Sequence, residues 1–252
     1  MGKNIVLEVK NLKKYFGAIK AVDDISFKVY SKEIIAIVGD NGAGKSTIIK
    51  TISGILRKDH GKLYINGKEV EIKSPRVARK YGIETVYQDQ KLVGSFSPAE
   101  NLFMAREKLV GNAFGKFFKF LDFDFMEKEV YELLKTLGIS IEDLNSSVKS
   151  LSGGQRQAIV IGRAVYWGGK ILIFDEPTNN LGVKQERKVI ELIKKIRDEF
   201  DVSIIVISHN ISHVFELVDR IIVIRNGKIV GEKIKEKTNP NEVVSMITGV
   251  KA

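Results

Sequence analysis

Eight residues, Gly39-Asp40-Asn41-Gly42-Ala43-Gly44-Lys45-Ser46, follow the pattern glycine, any four residues, then Gly-Lys-Ser. Glycines at this spacing let backbone N–H groups curl around phosphate oxygens, and a helix that starts at the end of such a loop adds its positive end. Lys45 then reaches the β- and γ-phosphates and Ser46 ligates Mg²⁺. A chance match in a chain of this length is on the order of one per cent, so an idle glycine turn is the weaker reading. A second chemical signal is Lys170–Glu176, KILIFDE, an apolar run ending in two carboxylates. In phosphoryl transfer such a pair divides its work: Asp175 belongs to the Mg²⁺ shell and Glu176 orients and polarises the attacking water. A third is Leu151-Ser152-Gly153-Gly154-Gln155, a serine and two glycines opening a helix that runs to about Tyr166. A helix N-terminus of this kind suits an anion. A cap explains Ser152, but it does not call for the two glycines that follow.

These groups need a scaffold, and the hydrophobic pattern supplies one. Glu33–Val38 is a β-branched run of the fully buried kind, leading into the glycine loop and then a helix over about Ser46–Ile55. Lys170–Phe174 and Val202–Ser208 read as two more buried strands, separated by a helix over about Lys184–Phe200. Ile5–Lys10 and Ile25–Val29 are half-buried strands. Two Asn-Gly pairs, Asn66-Gly67 and Asn226-Gly227, lie between short strand runs and mark hairpins. The middle, about 90–160, has few strand runs and helical stretches near Ala99–Glu107 and Glu127–Leu137. The expectation is one α/β domain over 1–252, with a P-loop core, an antiparallel β-subdomain near the N-terminus and the helical segment inserted. Glu242–Ile247 suggests a short last helix.

Composition removes several classes. The chain has 252 residues and no cysteine, so a disulfide scaffold and a thiolate metal site are excluded. Its apolar runs are strand-sized, none near the ~20 residues of a membrane helix, and the start has no signal-peptide run. The expected location is therefore cytoplasmic; if the chain works at a membrane, another chain spans it. The formal charge of +10 leaves nucleic acid or an anionic membrane face open as partners. Lys and Arg are spread along the chain with no block of five, which favours a solvated surface.

Taken together, GDNGAGKS, Gln88 in VYQD, LSGGQ, ILIFDEPT and His209 after VSIIVIS resemble the nucleotide-binding subunits of ABC transporters, in the family's order and over essentially the whole chain. The resemblance implies an ATPase with ATP and Mg²⁺ at its site. It implies that Phe16 stacks on adenine, with Tyr15 beside it as the rival, and that Gly39, Asp40, Asn41, Gly42, Ala43, Gly44, Lys45, Ser46 and Thr47 hold the phosphates. Ser46, Gln88 and Asp175 would surround the metal. Lys45, Gln88, Glu176 and His209, the last as switch histidine, would carry catalysis. Ser152, Gly153, Gly154 and Gln155 would meet the γ-phosphate bound by a second copy, so two cassettes pair head to tail. Partners implied are integral-membrane permease subunits, docked near Gln88 on the cytoplasmic face, and indirectly a substrate-binding protein; no nucleic acid is expected. One position departs: after DEPT the family runs to Leu-Asp in its D-loop, and this chain has Asn179-Asn180-Leu181-Gly182.

VYQDQKLV, SHNISHVFELVDR, LGVK and the closing MITG are similar, more narrowly, to ATPases of monosaccharide importers of the ribose, xylose and fructose type, which often fuse two cassettes. The alternatives are another transporter and, less favoured, an ABC ATPase acting on nucleic acid or ribosomes. Residues 113–126 hold six phenylalanines, Phe114, Phe117, Phe118, Phe120, Phe123 and Phe125. Packing inside the helical segment is the expected use, with docking of a membrane subunit as the alternative.

Overall fold

The structure is a computed structural model describing residues 4–88, 92–111, 118 and 120–250. In chain order it begins with two long antiparallel strands, β1 (Ile5–Phe16) and β2 (Ile19–Tyr30), then β3 (Ile34–Val38), α1 (Lys45–Ile52), β4 (His60–Ile65) and β5 (Lys68–Val70). Next come α2 (Pro75–Lys80), β6 (Ile83–Val86), α3 (Pro98–Phe103), α4 (Phe123–Leu137) and α5 (Gly153–Tyr166). The chain continues through β7 (Ile171–Asp175), α6 (Val183–Phe200), β8 (Ser203–Ile207), α7 (Ile211–Leu217), β9 (Arg220–Arg225), β10 (Lys228–Ile234) and α8 (Pro240–Thr248).

Two sheets result. Strands β2-β1-β4-β5 form an antiparallel sheet, and β10-β9-β3-β8-β7-β6 form the central one, parallel except where β10 pairs antiparallel with β9. Both Asn-Gly turns are present: Asn66 and Gly67 have φ of 50° and 77°, Asn226 and Gly227 of 49° and 74°. Two successive left-handed residues make the turn whose twist matches a two-residue hairpin, and Asn and Gly tolerate that conformation best.

β3, β7 and β8 are buried at every position. Their alternate residues feed two cores. Ile34, Ala36, Leu172, Phe174, Ile204 and Val206 face one side with α4, α5 and α6, while Ile35, Ile37, Ile171, Ile173, Ile205 and Ile207 face α1 and the antiparallel sheet. Covering both faces explains why these strands read as unbroken β-branched runs rather than alternating ones. Each Ile so buried contributes roughly 1.5–3 kcal/mol.

A buried ion pair lies at the amino ends of β3 and β9. Arg220 Nε and Nη2 donate to Glu33 Oε1 and Oε2 at 2.9 and 2.8 Å, and Glu33 Oε2 also accepts from Tyr30 N at 2.9 Å. Arg220 reaches Lys28 O and Glu232 as well. The forked geometry satisfies both buried charges at once.

The middle segment departs from expectation in two places. The helix expected over Ala99–Glu107 ends at Phe103: Met104 leaves helical dihedrals and Ala105 has φ 62°. Arg106 there pairs with Glu84 on β6 at 3.1 Å and lies over the Trp167 ring, while Glu107 Oε1 accepts from Ala105 N. Side-chain anchoring to the sheet thus overrides helix propensity. The next helix starts at Phe123, not Glu127, because Asp122 Oδ1 caps it through Phe125 N.

Packing of the phenylalanines is also corrected. Phe118, Phe120 and Phe123 are 53%, 52% and 46% exposed, and Phe125 touches Phe103 only edge-on; Phe114 and Phe117 lie outside the described residues. The helix spends its inward positions on Met126, Val130, Leu133, Leu134 and Leu137, which leaves no inward place for Phe123. Phe103, on α3, is buried instead, edge-to-face with Tyr166 and Trp167 at 5.1 and 5.5 Å.

Candidate active site

The carboxyl ends of β3, β7 and β8 open on one cleft of about 470 Å³, the location at which open parallel sheets bind ligands. Each strand delivers one chemical group. β3 runs into the glycine loop, β7 ends in Asp175 followed by Glu176, and β8 is followed by Ser208 and His209.

The loop's shape depends on glycine. Gly44 has φ 109°, and a Cβ built there would lie 2.3 Å from Ala21 O. No side chain fits, because the first residues of β2 press against the loop. That contact also brings the β1–β2 turn beside the loop. Phe16, at the end of β1, is 46% exposed, with Lys14 Nζ 5.4 Å over its ring. Tyr15 instead turns its hydroxyl to Asp23 Oδ1 at 3.0 Å, so of the two aromatic residues Phe16 is the one with an uncommitted face.

Lys45 is 8% exposed and donates from Nζ to Gly39 O and Asp40 O, each at 2.8 Å. Burial holds its pKa below the ordinary lysine value, against the opposing pull of Glu176, Asp40 and Asp175. An ammonium carries three donors, so the two loop carbonyls leave one for a phosphate. Asp175 is 7% exposed. Glu176 occupies a left-handed backbone conformation, φ 53°, and its N–H donates to Ile207 O at 2.9 Å. A non-glycine residue there costs on the order of 1–3 kcal/mol, a strain that clusters at functional positions. Its Oε1 lies 2.9 Å from His209 Nδ1, whose ring is 63% exposed.

The cleft therefore gathers Gly39, Asp40, Asn41, Gln88, Glu176 and His209 of the expected residues. Asp89–Lys91, which follow Gln88, lie outside the described residues. The cleft also holds Asn179, Ser208 and Ile211, and from α8 Val244 and Ile247, which sequence reading did not place there. A helix two hundred residues from the loop leaves no local signal of such a contact.

Ser152, Gly154 and Gln155 line a different groove, of about 750 Å³, between α4, α5 and α6. Ser152 caps α5: its Oγ accepts from Gln155 N at 3.3 Å, and Gln155 Oε1 accepts from Ser152 N at 3.0 Å. Gln155 Nε2 donates to Ser140 O at 2.9 Å, so both ends of that amide are engaged inside the chain. The glycines pack under the next loop. A Cβ at Gly153 would sit 3.3 Å from Leu181, and one at Gly154 would sit 3.6 Å from Gln185. Gly182 caps α6 in extended conformation, φ −76°, ψ 155°, with Gln185 Oε1 accepting from its N–H at 3.4 Å.

Among the described residues no group of three or more His, Cys, Asp or Glu could hold a metal ion. Ser46, exposed on the first turn of α1, and Asp175 offer hard oxygen donors. A sparse set of this kind fits Mg²⁺, which usually takes one or two carboxylates and fills its shell from substrate phosphates and water.

Comparison with known proteins agrees with this geometry. Residues 22–179 match the family described as ABC transporter. The chain is 44% identical over 243 residues to the xylose/arabinose import ATP-binding protein of Sulfolobus acidocaldarius, covering 96% of this chain and 94% of that protein. It is 42% identical over 252 residues to the fructose import ATP-binding protein of Rhizobium meliloti, covering 100% and 96%. It is 36% identical to the ribose import ATP-binding protein of Caldanaerobacter subterraneus, of which it spans 48%. Among solved structures, the ADP conformation of an ATP-binding cassette of an ABC transporter superposes with a TM-score of 0.80 at 26% identity, covering 98% of this chain and 96% of that one. The loop, the carboxylate pair and the fold around them lead to one conclusion: the chain belongs to the ABC transporter family, as an ATP-hydrolysing cassette.

Proposed function

We propose that this cassette energises a monosaccharide importer and works as one of a head-to-tail pair. The observation that carries the pairing is the separation of its two phosphate-directed elements: the glycine loop and Glu176 line one cleft, while Ser152 and Gly154 line another. One chain cannot bring them to the same nucleotide, but two chains facing each other can. The sugar reading rests on relatives named for import of xylose/arabinose, fructose and ribose.

In this reading Phe16 receives the adenine face, the loop amides and Lys45 bind the phosphates, and Gln88 stands at the rim. Glu176 orients a water in line with the γ-phosphorus, and the O–P bond to the β-phosphate breaks to give ADP and inorganic phosphate. His209, with Nδ1 2.9 Å from Glu176 Oε1, holds that carboxylate's direction. Ser46, Asp175 and Gln88 would hold Mg²⁺, which when bound offsets phosphate charge. Charge stabilisation and positioning, rather than covalent chemistry, lower the barrier. In this reading permease subunits carry the path across the membrane, with the cassette on their cytoplasmic side; no described helix of the cassette is long and apolar enough to cross one.

Trapping tests the pairing. With Glu176→Gln, Mg²⁺-ATP should bind, turnover should fall at least about a hundredfold, and the protein should elute as a dimer. A variant that stays monomeric and hydrolyses at the wild-type rate would refute it. For the cargo, the cassette co-expressed with its permease in vesicles should couple ATP hydrolysis to uptake of a labelled pentose or hexose. The net charge of +10 gives the nucleic-acid reading its one support; RNA-stimulated turnover at physiological salt would favour it instead.

A further inference from the structure

His213 lies outside the cleft, yet the loop after β7, the loop after β8 and the first turn of α6 converge on it. Its Nδ1 is 3.2 Å from Thr178 Oγ1, two residues beyond Glu176. Its Nε2 is 3.4 Å from Glu186 Oε2, in the first turn of α6. Its backbone N–H donates to Asn210 Oδ1 at 3.2 Å, and Asn210 follows His209 directly. The ring is 18% exposed, and Thr178 is buried. Asn210 Nδ2 lies 3.3 Å from the same Nε2, so the two ring nitrogens face Thr178 on one side and the Asn210 amide with Glu186 on the other.

We propose that His213 is a positioning residue for ATP hydrolysis, clamping the loop after the carboxylate pair to the switch loop and to α6. The segment it holds needs holding. Glu176 and Asn180 both have left-handed backbones, with φ of 53° and 62°, and Thr178 sits midway between them with its hydroxyl turned to the imidazole. Relaxation of that segment would move Glu176, whose carboxylate direction also depends on His209, in the loop that Asn210 ties back to His213. At Gly182 the loop carries no carboxylate; Glu186, four residues further and in the first turn of α6, places its carboxylate 3.4 Å from His213 Nε2.

The inference rests on the ATPase assignment, and the test separates the two. Steady-state turnover is measured for the wild type, for Lys45→Ala as the inactive control, and for His213→Phe, His213→Asn and Glu186→Gln, well below their thermal midpoints. His213→Phe keeps a ring and removes both nitrogens. It should lower kcat about tenfold and leave KM for ATP within about twofold. His213→Asn, whose side-chain amide stands near the place of Nδ1 and can donate or accept there, should recover kcat to within about threefold of wild type. Glu186→Gln should fall between the two. A packing role alone would lower the thermal midpoint and leave kcat per folded molecule unchanged. The proposal is overturned if His213→Phe stays within about twofold in kcat, if its KM rises in step with the loss, or if His213→Asn is no better than Phe. Should His213→Phe fail to fold, Thr178→Val removes the hydroxyl at nearly constant volume and is judged by the same kcat and KM limits. Wild-type turnover no higher than that of Lys45→Ala would instead defeat the ATPase assignment, and the proposal with it.

Discussion

Gly182→Asp restores the residue type that the D-loop of relatives would lead one to expect, and the structure sets its cost. Gly182 has φ −76° and ψ 155°, a conformation open to any residue, and a Cβ built there meets nothing within 4 Å. It is also the N-cap of an 18-residue helix, with no side-chain cap of its own. An aspartate there accepts from the first-turn amides, worth a few tenths of a kcal/mol over glycine, and adds about 0.3–1 kcal/mol from the helix dipole. Against this, Glu186 lies one turn away, and like charges at that spacing cost roughly 0.2–0.5 kcal/mol. The net is a gain of about 0.7 kcal/mol, which in a domain of this size raises Tm by about 2 °C. Glu176 and His209 are untouched, so kcat should stay within about tenfold of wild type, a barrier change of roughly 1.4 kcal/mol or less. Thermal denaturation followed by circular dichroism and a steady-state phosphate-release assay measure both. A fall in Tm would refute the capping assignment. A kcat loss beyond tenfold would show that this glycine has a conformational role at the cassette interface.

Other changes act on separate parts of the molecule. His209→Ala removes the group 2.9 Å from Glu176 and should lower kcat more than about tenfold; a loss smaller than that of Gly182→Asp would remove His209 from the mechanism. Glu33→Ala takes the forked partner from Arg220, which is 7% exposed and keeps Glu232 and Lys28 O, and should cost about 3 kcal/mol in urea unfolding; an unchanged midpoint would mean that these partners and water replace the lost carboxylate. Phe174→Ala empties a fully buried site in β7 and should cost about 3–5 kcal/mol in the same measurement, with a smaller loss meaning that the core collapses around it.

What the sequence by itself determined was everything encoded locally. The glycine loop, the buried strands, both Asn-Gly hairpins and the carboxylate pair each depend on neighbours within a few residues, where chain geometry and burial pattern leave few options. The order of these segments was enough to anticipate an α/β fold. Tertiary structure decided the rest. The helix at Phe103 ends early because Arg106 finds Glu84, a partner twenty-two residues back that no window contains. The exposed phenylalanines of 118–125 could not be told from core residues by composition, since burial depends on which face of α4 the other elements cover. Gly182 read as a missing charge and proved to be a helix cap. His213 stands within SHNISHVFELVDR with no local sign of a role of its own, and only the fold brings it between Thr178 and Glu186. Ser152 and Lys45 are matched to the same chemistry by their motifs, yet in one chain Ser152 lines a groove apart from the cleft whose loop carbonyls hold Lys45; a linear pattern carries residue type and spacing, whereas the directions in which two distant elements face are set by how the sheet and helices pack.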